Sequence, residues 1–380
     1  MTRIKNILLD YFRSTDKILW LLFFSVSAYG AMLVYSATRT AGTSNFITQV
    51  IAIGLGYLAA FFISSMDYHL IARLWPIITV VCLGLMALTS VLGVRVEGAD
   101  DKAWIMIGGV SFQPSEMVKI GFIVTFAKHL DVLRERGKLK HFGHILLLCV
   151  HMAIPVVIIH IQGDDGAALV FFFMFLAMCF GAGIQLRYFA LLGGLLAAAI
   201  PLAWFKVLNY DQKMRFRILF NQTLDPLGYG FQQTQGKISI GSGKFFGRGL
   251  FQGPRVANSS VPEDHNDFIF SVAGEELGFF GCILILVLIL CILLRILRMI
   301  RQNCDPLGSY MCYGFFGLIA FQTIGNIGMC LYVLPVIGIT LPFFSAGGSS
   351  TACLYLGVGL MQSVFMHMDR DDDIGMLRRA

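Results

Sequence analysis

Charged residues are scarce in this 380-residue chain: Asp, Glu, Lys and Arg together make up 14% of it, whereas 57% of the residues are apolar. A water-soluble fold could not bury that much apolar surface. The chain also lacks a CxxC pair and any Cys/His spacing typical of a zinc site. Its nine cysteines are odd in number and lie almost all in apolar stretches, so we expect packing residues and no structural disulfide.

Apolar stretches long enough to cross a bilayer, which takes about 20 residues as helix, recur along nearly the whole chain. The sequence therefore predicts an all-α polytopic membrane protein with a single transmembrane domain over residues 1–380. The charged stretch before the first span has no small-residue cleavage site, so this span is predicted to be retained. The predicted spans, about ten in number, are 17–37, 46–65, 74–93, 113–131, 143–160, 166–184, 188–206, 268–294, 308–333 and 347–367.

Basic residues are distributed unevenly between the two sides of the predicted membrane domain. If the amino terminus lies inside, only Arg39, Arg95 and Lys102 fall in short outer loops, and most other Lys and Arg residues lie inside. Basic residues in short loops mark the cytoplasmic face, so both termini are predicted to be cytoplasmic. One large outer loop, approximately 207–266, then joins the seventh and eighth spans. The net charge of +6 fits this topology and attraction to anionic lipid, and we do not expect nucleic-acid binding.

Ionisable side chains inside spans are costly and usually face a cavity or a partner. Glu116 and Lys119 lie three residues apart on one helix face, either as a structural ion pair or as part of a site. Asp267, Ser271 and Glu275 recur every four residues and would form a stripe about 12 Å long into the eighth span. Asp267 fits a first-turn acid as well as a functional group, whereas capping does not explain Glu275 and Glu276.

The predicted outer loops hold further polar candidates. Asp164 and Asp165 lie between two glycines, as a turn or as acids that lack a cation. Residues 213–217 are basic and 241–249 are rich in glycine, which suits a pyrophosphate or a flexible loop. Residues 334–350 combine two prolines with clustered Gly and Ser, and such irregular backbone at membrane depth lines a cavity. All these features map to the outer side, where ATP and nucleotide sugars are absent, so we expect a lipid-linked substrate.

The same segments resemble a known family. Residues 112–119, FQPSEMVK, are similar to its QPSE segment, and residues 267–278, DFIFSVAGEELG, to its DFIF…GEELG signature. Further similar segments follow in family order at 233–235, 241–243, 247–250, 326–329, 334–336 and 341–349. On these residues the chain is identified as a member of the shape, elongation, division and sporulation (SEDS) family of peptidoglycan glycosyltransferases. Residues 10–17 resemble the elongation branch of that family more than its division branch.

The resemblance implies polymerisation of lipid II into glycan at the outer face of the bacterial cytoplasmic membrane, for rod-shape wall synthesis. An acceptor GlcNAc 4-hydroxyl would attack C1 of a lipid-pyrophosphoryl MurNAc in one inverting displacement, with Asp267 as general base. Lys119, Arg215, Arg217 or a divalent cation, Mg²⁺ or Mn²⁺, near Asp164 would stabilise the leaving pyrophosphate. The residues expected to bind substrate or to line the cavity are Glu116, Lys119, Arg215, Arg217, Lys237, Glu276, Ser345, Gly347, Gly348 and Ser349.

The partners implied by the resemblance are lipid II, the growing lipid-linked glycan, a class B penicillin-binding protein, other elongation-complex membrane proteins and membrane lipid. Two segments depart from the family pattern. The family's QPDLGTA reads Gln162-Gly163-Asp164-Asp165-Gly166-Ala-Ala here, and its SYGGS has Ala346 in place of tyrosine. Two other functions fit charged residues in spans: a lipid II flippase, and a non-catalytic scaffold of the wall-synthesis complex. A flippase should carry polar groups through the inner half as well, which this sequence does not.

Overall fold

The computed structural model describes residues 11–40, 42–95, 101–108, 110–206, 208–303 and 305–367. Within these ranges the chain is almost entirely helical, with one short hairpin. The helices are α1 (Lys17–Thr38), α2 (Ser44–Ser64), α3 (Tyr68–Arg73), α4 (Trp75–Leu92), α5 (Pro114–Glu135), α6 (Phe142–Gln162), α7 (Asp165–Gly181), α8 (Leu186–Lys206), α9 (Tyr210–Phe220), α10 (Phe231–Gly243), α11 (Pro254–Ala257), α12 (Ile269–Glu276), α13 (Gly278–Gln302), α14 (Pro306–Cys330) and α15 (Gly348–His367). Strands β1 (Ile105–Ile107) and β2 (Val110–Phe112) pair antiparallel before α5.

Eight of the described helices are long and apolar enough to cross a membrane: α1, α2, α4, α6, α8, α13, α14 and α15. Helix α7 is also apolar but has only 17 residues, and α5 carries the Glu116–Lys119 pair in the same bundle. The predicted polytopic all-α membrane protein is confirmed, while the number of ten spans stays a prediction. Among these eight helices α14 and α15 are the most buried, since α15 packs along α2 and α14 along α5 and α7. All eight described cysteines are free, and Cys304 lies outside the described residues.

The end of the bundle that is predicted to face the cytoplasm is held together by a buried polar cluster. Asp16 caps α1 by accepting the amides of Ile18 and Leu19, and its second carboxylate oxygen lies 2.5 Å from Nε of Arg295 at the end of α13. Gln362 near the end of α15 bonds both the amide and the carbonyl of Asp16. Because a charge in an apolar interior is costly without partners, this cluster fixes how α1, α13 and α15 meet.

The predicted eighth span, 268–294, is broken in the structure. The short helix α12 ends at Glu276, and Gly278, the first residue of α13, takes φ +66. A side chain at Gly278 would place its Cβ 2.3 Å from the amide nitrogen of Gly247, so the chain requires glycine there. Ser271 and Glu275 lie four residues apart within α12, as expected, whereas Asp267 precedes this helix and the long helix α13 starts only after it. The depth of the stripe in the membrane stays a prediction.

The predicted outer loop, 207–266, contains the helices α9, α10 and α11. Several of its glycines serve close packing: a Cβ at Gly243 would lie 1.9 Å from the carbonyl oxygen of Gly274 in α12. The amides of Gly247, Arg248 and Gly249 donate to protein carbonyls of residues 243, 275 and 276. The interpretation of these amides as a pyrophosphate site is therefore wrong, because a donated amide has no free proton to offer.

Candidate active site

Three helix starts converge around a buried ion pair at the end of the bundle that is predicted to face outward. Gln113 precedes α5, and its side-chain amide donates to Asp164 at 2.8 Å. Asp164 caps α7 by accepting the amide of Ala167 at 2.8 Å, while the Gln113 backbone amide donates to Ser349 in the first turn of α15. One turn into α5, Lys119 Nζ lies 2.8 Å from Glu116 Oε1, and both side chains are buried.

The electrostatic setting of Asp164 is unusual for a surface turn. The residue lies between α6 and α7 and is 8% exposed. Burial, opposed by the Ala167 amide, raises the pKa of the Asp164 carboxyl to about 7, with Asp101 adding repulsion and Lys119 attraction. Both interpretations of this loop, a turn and a cation site, therefore apply to Asp164. Its carboxylate caps a helix, and its ionised form would be stabilised by a nearby positive charge.

Asp267 is held in place through its backbone. Its carbonyl accepts Nδ2 of Asn326 in α14 at 2.7 Å, and the same amide also donates to the carbonyl of Ile339. The preceding carbonyl, that of Asn266, accepts the Ser345 hydroxyl at 2.7 Å. Two segments far apart in sequence therefore position this residue, which leaves its side chain free for another task.

The Asp267 carboxylate makes no hydrogen bond or ion pair with any residue that the structure describes. Its Oδ2 lies 3.9 Å from the position that a Cβ would occupy at Gly338, so the last outer segment, residues 331–347 between α14 and α15, passes directly beside it. Burial raises the pKa of Asp267 to about 7, helped by repulsion from Glu263 and Asp101 and opposed by His265. An acid of this kind ionises near neutral pH, as a general base must.

The Gly/Ser segment before α15 is fastened by one buried amide side chain. Gln49 of α2 is fully buried; its Nε2 donates to the Ser345 carbonyl at 3.2 Å, and its Oε1 accepts the Gly347 amide at 3.0 Å. Gly348 packs against Thr48, since a Cβ there would lie 3.1 Å from Cγ2 of Thr48. Ser345 and Gly347 thus shape the segment from within, whereas Ser349 faces Gln113.

The remaining predicted residues lie apart from the Glu116–Lys119 pair. Arg215 of α9 donates to the Val336 carbonyl at 3.1 Å, Arg217 lies over the Trp204 ring, and Lys237 of α10 lies over the Tyr332 ring. Glu276 is fully buried, where both its oxygens accept the Ser36 hydroxyl at 2.7 Å. The structure does not bring Glu276 to the other candidates, and its contacts favour the anchoring of α12 to α1.

Sequence reasoning missed Asp101 and Gln49, and it noted Asn326 only as part of the family segment 326–329, without a role. Asp101 raises the pKa of both Asp164 and Asp267, so it lies near both acids although it stands in a short loop. Gln49 and Asn326 are uncharged amides in apolar helices. Their position could have indicated a role in the site. A polar amide inside a span, with no hydrogen-bond partner along its own helix, must form its hydrogen bonds with another helix or segment.

A bound metal would need ligands from the substrate as well as from the protein. Among the described residues, no group of three or more His, Cys, Asp or Glu side chains is arranged to hold a metal ion. Mg²⁺ is commonly bound by one or two carboxylates together with substrate phosphates and waters. Asp164 fits that limited role, because it is a single buried acid whose neighbours include another acid, Asp101.

Comparisons with known proteins show the family and the fold of the chain. Residues 16–370 match the family model of the FtsW/RodA/SpoVE cell cycle proteins. The chain is 33% identical to a probable peptidoglycan glycosyltransferase FtsW of Geobacter metallireducens, over 93% of this chain and 95% of that protein. It is 30% identical to the peptidoglycan glycosyltransferase MrdB of Escherichia coli, over 93% and 94%. A solved peptidoglycan synthase complex, described as coordinating polymerisation and crosslinking, contains a chain with TM-score 0.79, 29% identity and coverage of 93% and 99%.

Proposed function

The chain belongs to the FtsW/RodA/SpoVE family and is a peptidoglycan glycosyltransferase of the bacterial inner membrane, and from this premise we propose that Asp267 is the general base that activates the acceptor hydroxyl. The observation that carries the proposal is a carboxylate with a pKa of about 7, fixed through its backbone by Asn326 and unpaired among the described residues. A sugar hydroxyl is a poor nucleophile until its proton is removed, and a positioned base contributes about 10²–10⁴-fold to such a step.

The substrate of this proposal is lipid II, and the reaction is one displacement. The acceptor GlcNAc 4-hydroxyl forms a bond to C1 of the donor MurNAc, its proton passes to the Asp267 carboxylate, and the C1–oxygen bond to undecaprenyl pyrophosphate breaks. Inversion turns the α-linked donor into a β-linked product, and no covalent enzyme intermediate is required. One base and a source of positive charge at the leaving group are sufficient for this chemistry.

The positive charge comes from the buried end of α5 and from α9 in this proposal. Lys119 is already desolvated beside Glu116, and Arg215 lies at the edge of the last outer segment. In a water-poor site such fixed charges act more strongly than in water and need no reorganisation. A divalent cation, Mg²⁺ or Mn²⁺, would be held by Asp164 and would neutralise the pyrophosphate.

The cellular role proposed for the chain is wall elongation in partnership with a class B penicillin-binding protein. Support for the partnership comes from the synthase complex that resembles this fold, and support for elongation comes from the resemblance of residues 10–17. Expression in cells depleted of their own rod-shape enzyme tests the role. Restored rods would support it, whereas rescue only of cells depleted of the division enzyme would assign the chain to septal synthesis.

The enzymatic test is polymerisation of labelled lipid II by the purified protein with its cognate penicillin-binding protein, under transpeptidase inhibition. Wild type should form glycan and Asp267→Asn should not. Asp225→Asn is the matched control, because Asp225 is an outer acid whose carboxylate accepts, among the described residues, the nearby amides of residues 228 and 229. Equal polymerisation by the Asp267 variant would remove Asp267 from the role of base. Lipid II movement between leaflets without any glycan would support a flippase instead.

A further inference from the structure

Asp165 occupies the position at which the family pattern QPDLGTA has leucine, and its carboxylate joins three helices. One oxygen lies 2.5 Å from Nδ1 of His160 in the last turn of α6. The other oxygen accepts the side-chain amide of Gln212 in α9. Asp165 itself lies in the first turn of α7, so the extra acid of this chain connects the start of α7 to α9 in the predicted outer loop, 207–266.

Gln212 has a second bond that fixes the direction of its side chain. It forms a reciprocal capping box with Asn209: the Asn209 side chain accepts the Gln212 backbone amide at 2.8 Å, and Gln212 Oε1 accepts the Asn209 amide at 3.0 Å. With its oxygen engaged in this way, the NH₂ group of Gln212 points outward to Asp165. The start of α9 is therefore tied to α7 by a side chain that is already ordered, which reduces the entropy cost of the contact.

The remainder of α9 packs against the last outer segment. Met214 and Ile218 pack against Tyr332, and Arg215 donates to the Val336 carbonyl. The next carbonyl, that of Ile337, packs against Gly166, where a Cβ would lie only 2.2 Å away. Helix α9, the start of α7 and the last outer segment thus contact one another in a closed triangle, and Asp164 lies at its α7 corner.

We propose that the Asp165–Gln212 contact is a latch that holds α9, and with it Arg215, against the last outer segment for binding of the donor's pyrophosphate. This inference rests on the proposed function. Asp165 and Gln212 are positioning residues: they act through α9 and do not touch the reacting atoms. Opening the latch raises the lipid II concentration needed for half-maximal rate and leaves the turnover at saturation nearly unchanged.

The test exchanges donor and acceptor across the latch. Gln212→Glu keeps the capping box, because a glutamate at this position accepts the Asn209 amide as well, but it places two carboxylates face to face. We expect about a fivefold rise in half-saturating lipid II, since a hydrogen bond between partly exposed groups contributes about 1 kcal/mol. Adding Asp165→Asn to Gln212→Glu restores a donor opposite the new carboxylate and should return the value to within about twofold of wild type.

Hydrogen–deuterium exchange of residues 213–220 provides a readout that needs no activity. Protection of these amides should fall in Gln212→Glu and return in the double variant. Asp211→Asn serves as the matched control on the same helix, because the Asp211 carboxylate accepts the Tyr229 hydroxyl and takes no part in the latch. Unchanged protection in Gln212→Glu, or no recovery in the double variant, would overturn the latch. Absence of glycan from wild type and from every variant, with exchange behaving as expected, would overturn the proposed function and keep the latch.

Discussion

Removal of one member of the Glu116–Lys119 pair should destabilise the protein far more than removal of both. The two charges lie 2.8 Å apart and both side chains are buried, so either single variant leaves an unpaired charge away from water. Breaking a buried pair in this way typically costs about 3–5 kcal/mol. The charge left unpaired can also be neutralised by gaining or losing a proton, and this sets an upper limit on the destabilisation. At pH 7, protonating an ordinary glutamate costs about 3.7 kcal/mol and deprotonating an ordinary lysine costs about 4.6 kcal/mol.

The double variant separates packing from catalysis. Glu116→Gln combined with Lys119→Met keeps the volume of both side chains and leaves no charge, and such replacements are often neutral in stability. We therefore expect each single variant to lower the melting temperature by several degrees and the double variant to melt near wild type. Lipid II polymerisation should be lost in Lys119→Met and should not return in the double variant, because Lys119 no longer stabilises the leaving pyrophosphate.

Thermal unfolding and polymerisation are measured on the same preparations in one lipid composition. If the double variant is stable and polymerises normally, the pair is purely structural and Lys119 has no part in the chemistry. If the double variant unfolds as readily as the single variants, the loss of stability comes from altered side-chain packing, and the electrostatic reasoning is refuted. Asp225→Asn, which changes an outer acid with local bonds only, sets the scale for an uninvolved substitution.

The other predictions concern the acids and their supports. Because the pKa of Asp267 is raised to about 7, the turnover of wild type should rise about tenfold per pH unit below pH 7 and level off above it; a flat profile from pH 5 to 8 would contradict the assignment. The same shift means that the folded state disfavours the ionised acid, so Asp267→Asn should melt higher than wild type at pH 8 and equally at pH 4. Asp164→Asn keeps an N-cap oxygen for α7 and, because the pKa of Asp164 is also raised to about 7, should not lower the melting temperature while polymerisation falls, whereas Asp164→Ala should also cost about 1 kcal/mol of stability; loss of polymerisation in Asp164→Ala alone would argue for capping alone. Asn326→Leu leaves two carbonyls without their donor, at about 1–3 kcal/mol each, and should reduce turnover with little change in half-saturating lipid II; unchanged turnover would show that Asp267 needs no such support.

Several features of the fold followed from the sequence by local rules. Long apolar stretches must form helices in a bilayer because the backbone has no other hydrogen-bond partners there, so the predicted spans agree with the helices to within a few residues at most ends. The spacing of Glu116 and Lys119 placed them on one helix face, and the structure has them in contact. The segment of prolines, glycines and serines before α15 was predicted to line a cavity, which stays a prediction; the structure shows that Gln49 and Asn326 donate hydrogen bonds to its backbone.

Other features depended on contacts between distant segments, which no local pattern records. The break at Gly278 exists because the backbone of Gly247 passes within reach of it, about thirty residues earlier in the chain. The glycines of the outer segment looked like a phosphate site, yet they allow α10 and α12 to approach each other closely. Glu276 looked like a cavity residue until its partner, Ser36 of α1, was known.

The sequence by itself determined the membrane class, the family and most of the candidate residues, because hydrophobic length and ordered motifs are properties of the chain alone. Only the tertiary structure decided which acid is unpaired, which acid caps a helix and which is an anchor, since those roles depend on what the opposite helix presents. Asp165 shows the difference most clearly: in sequence it is an added charge in a turn, and in the fold it is the contact through which α6, α7 and α9 meet. A side chain's type is local, but its energy is set by its surroundings.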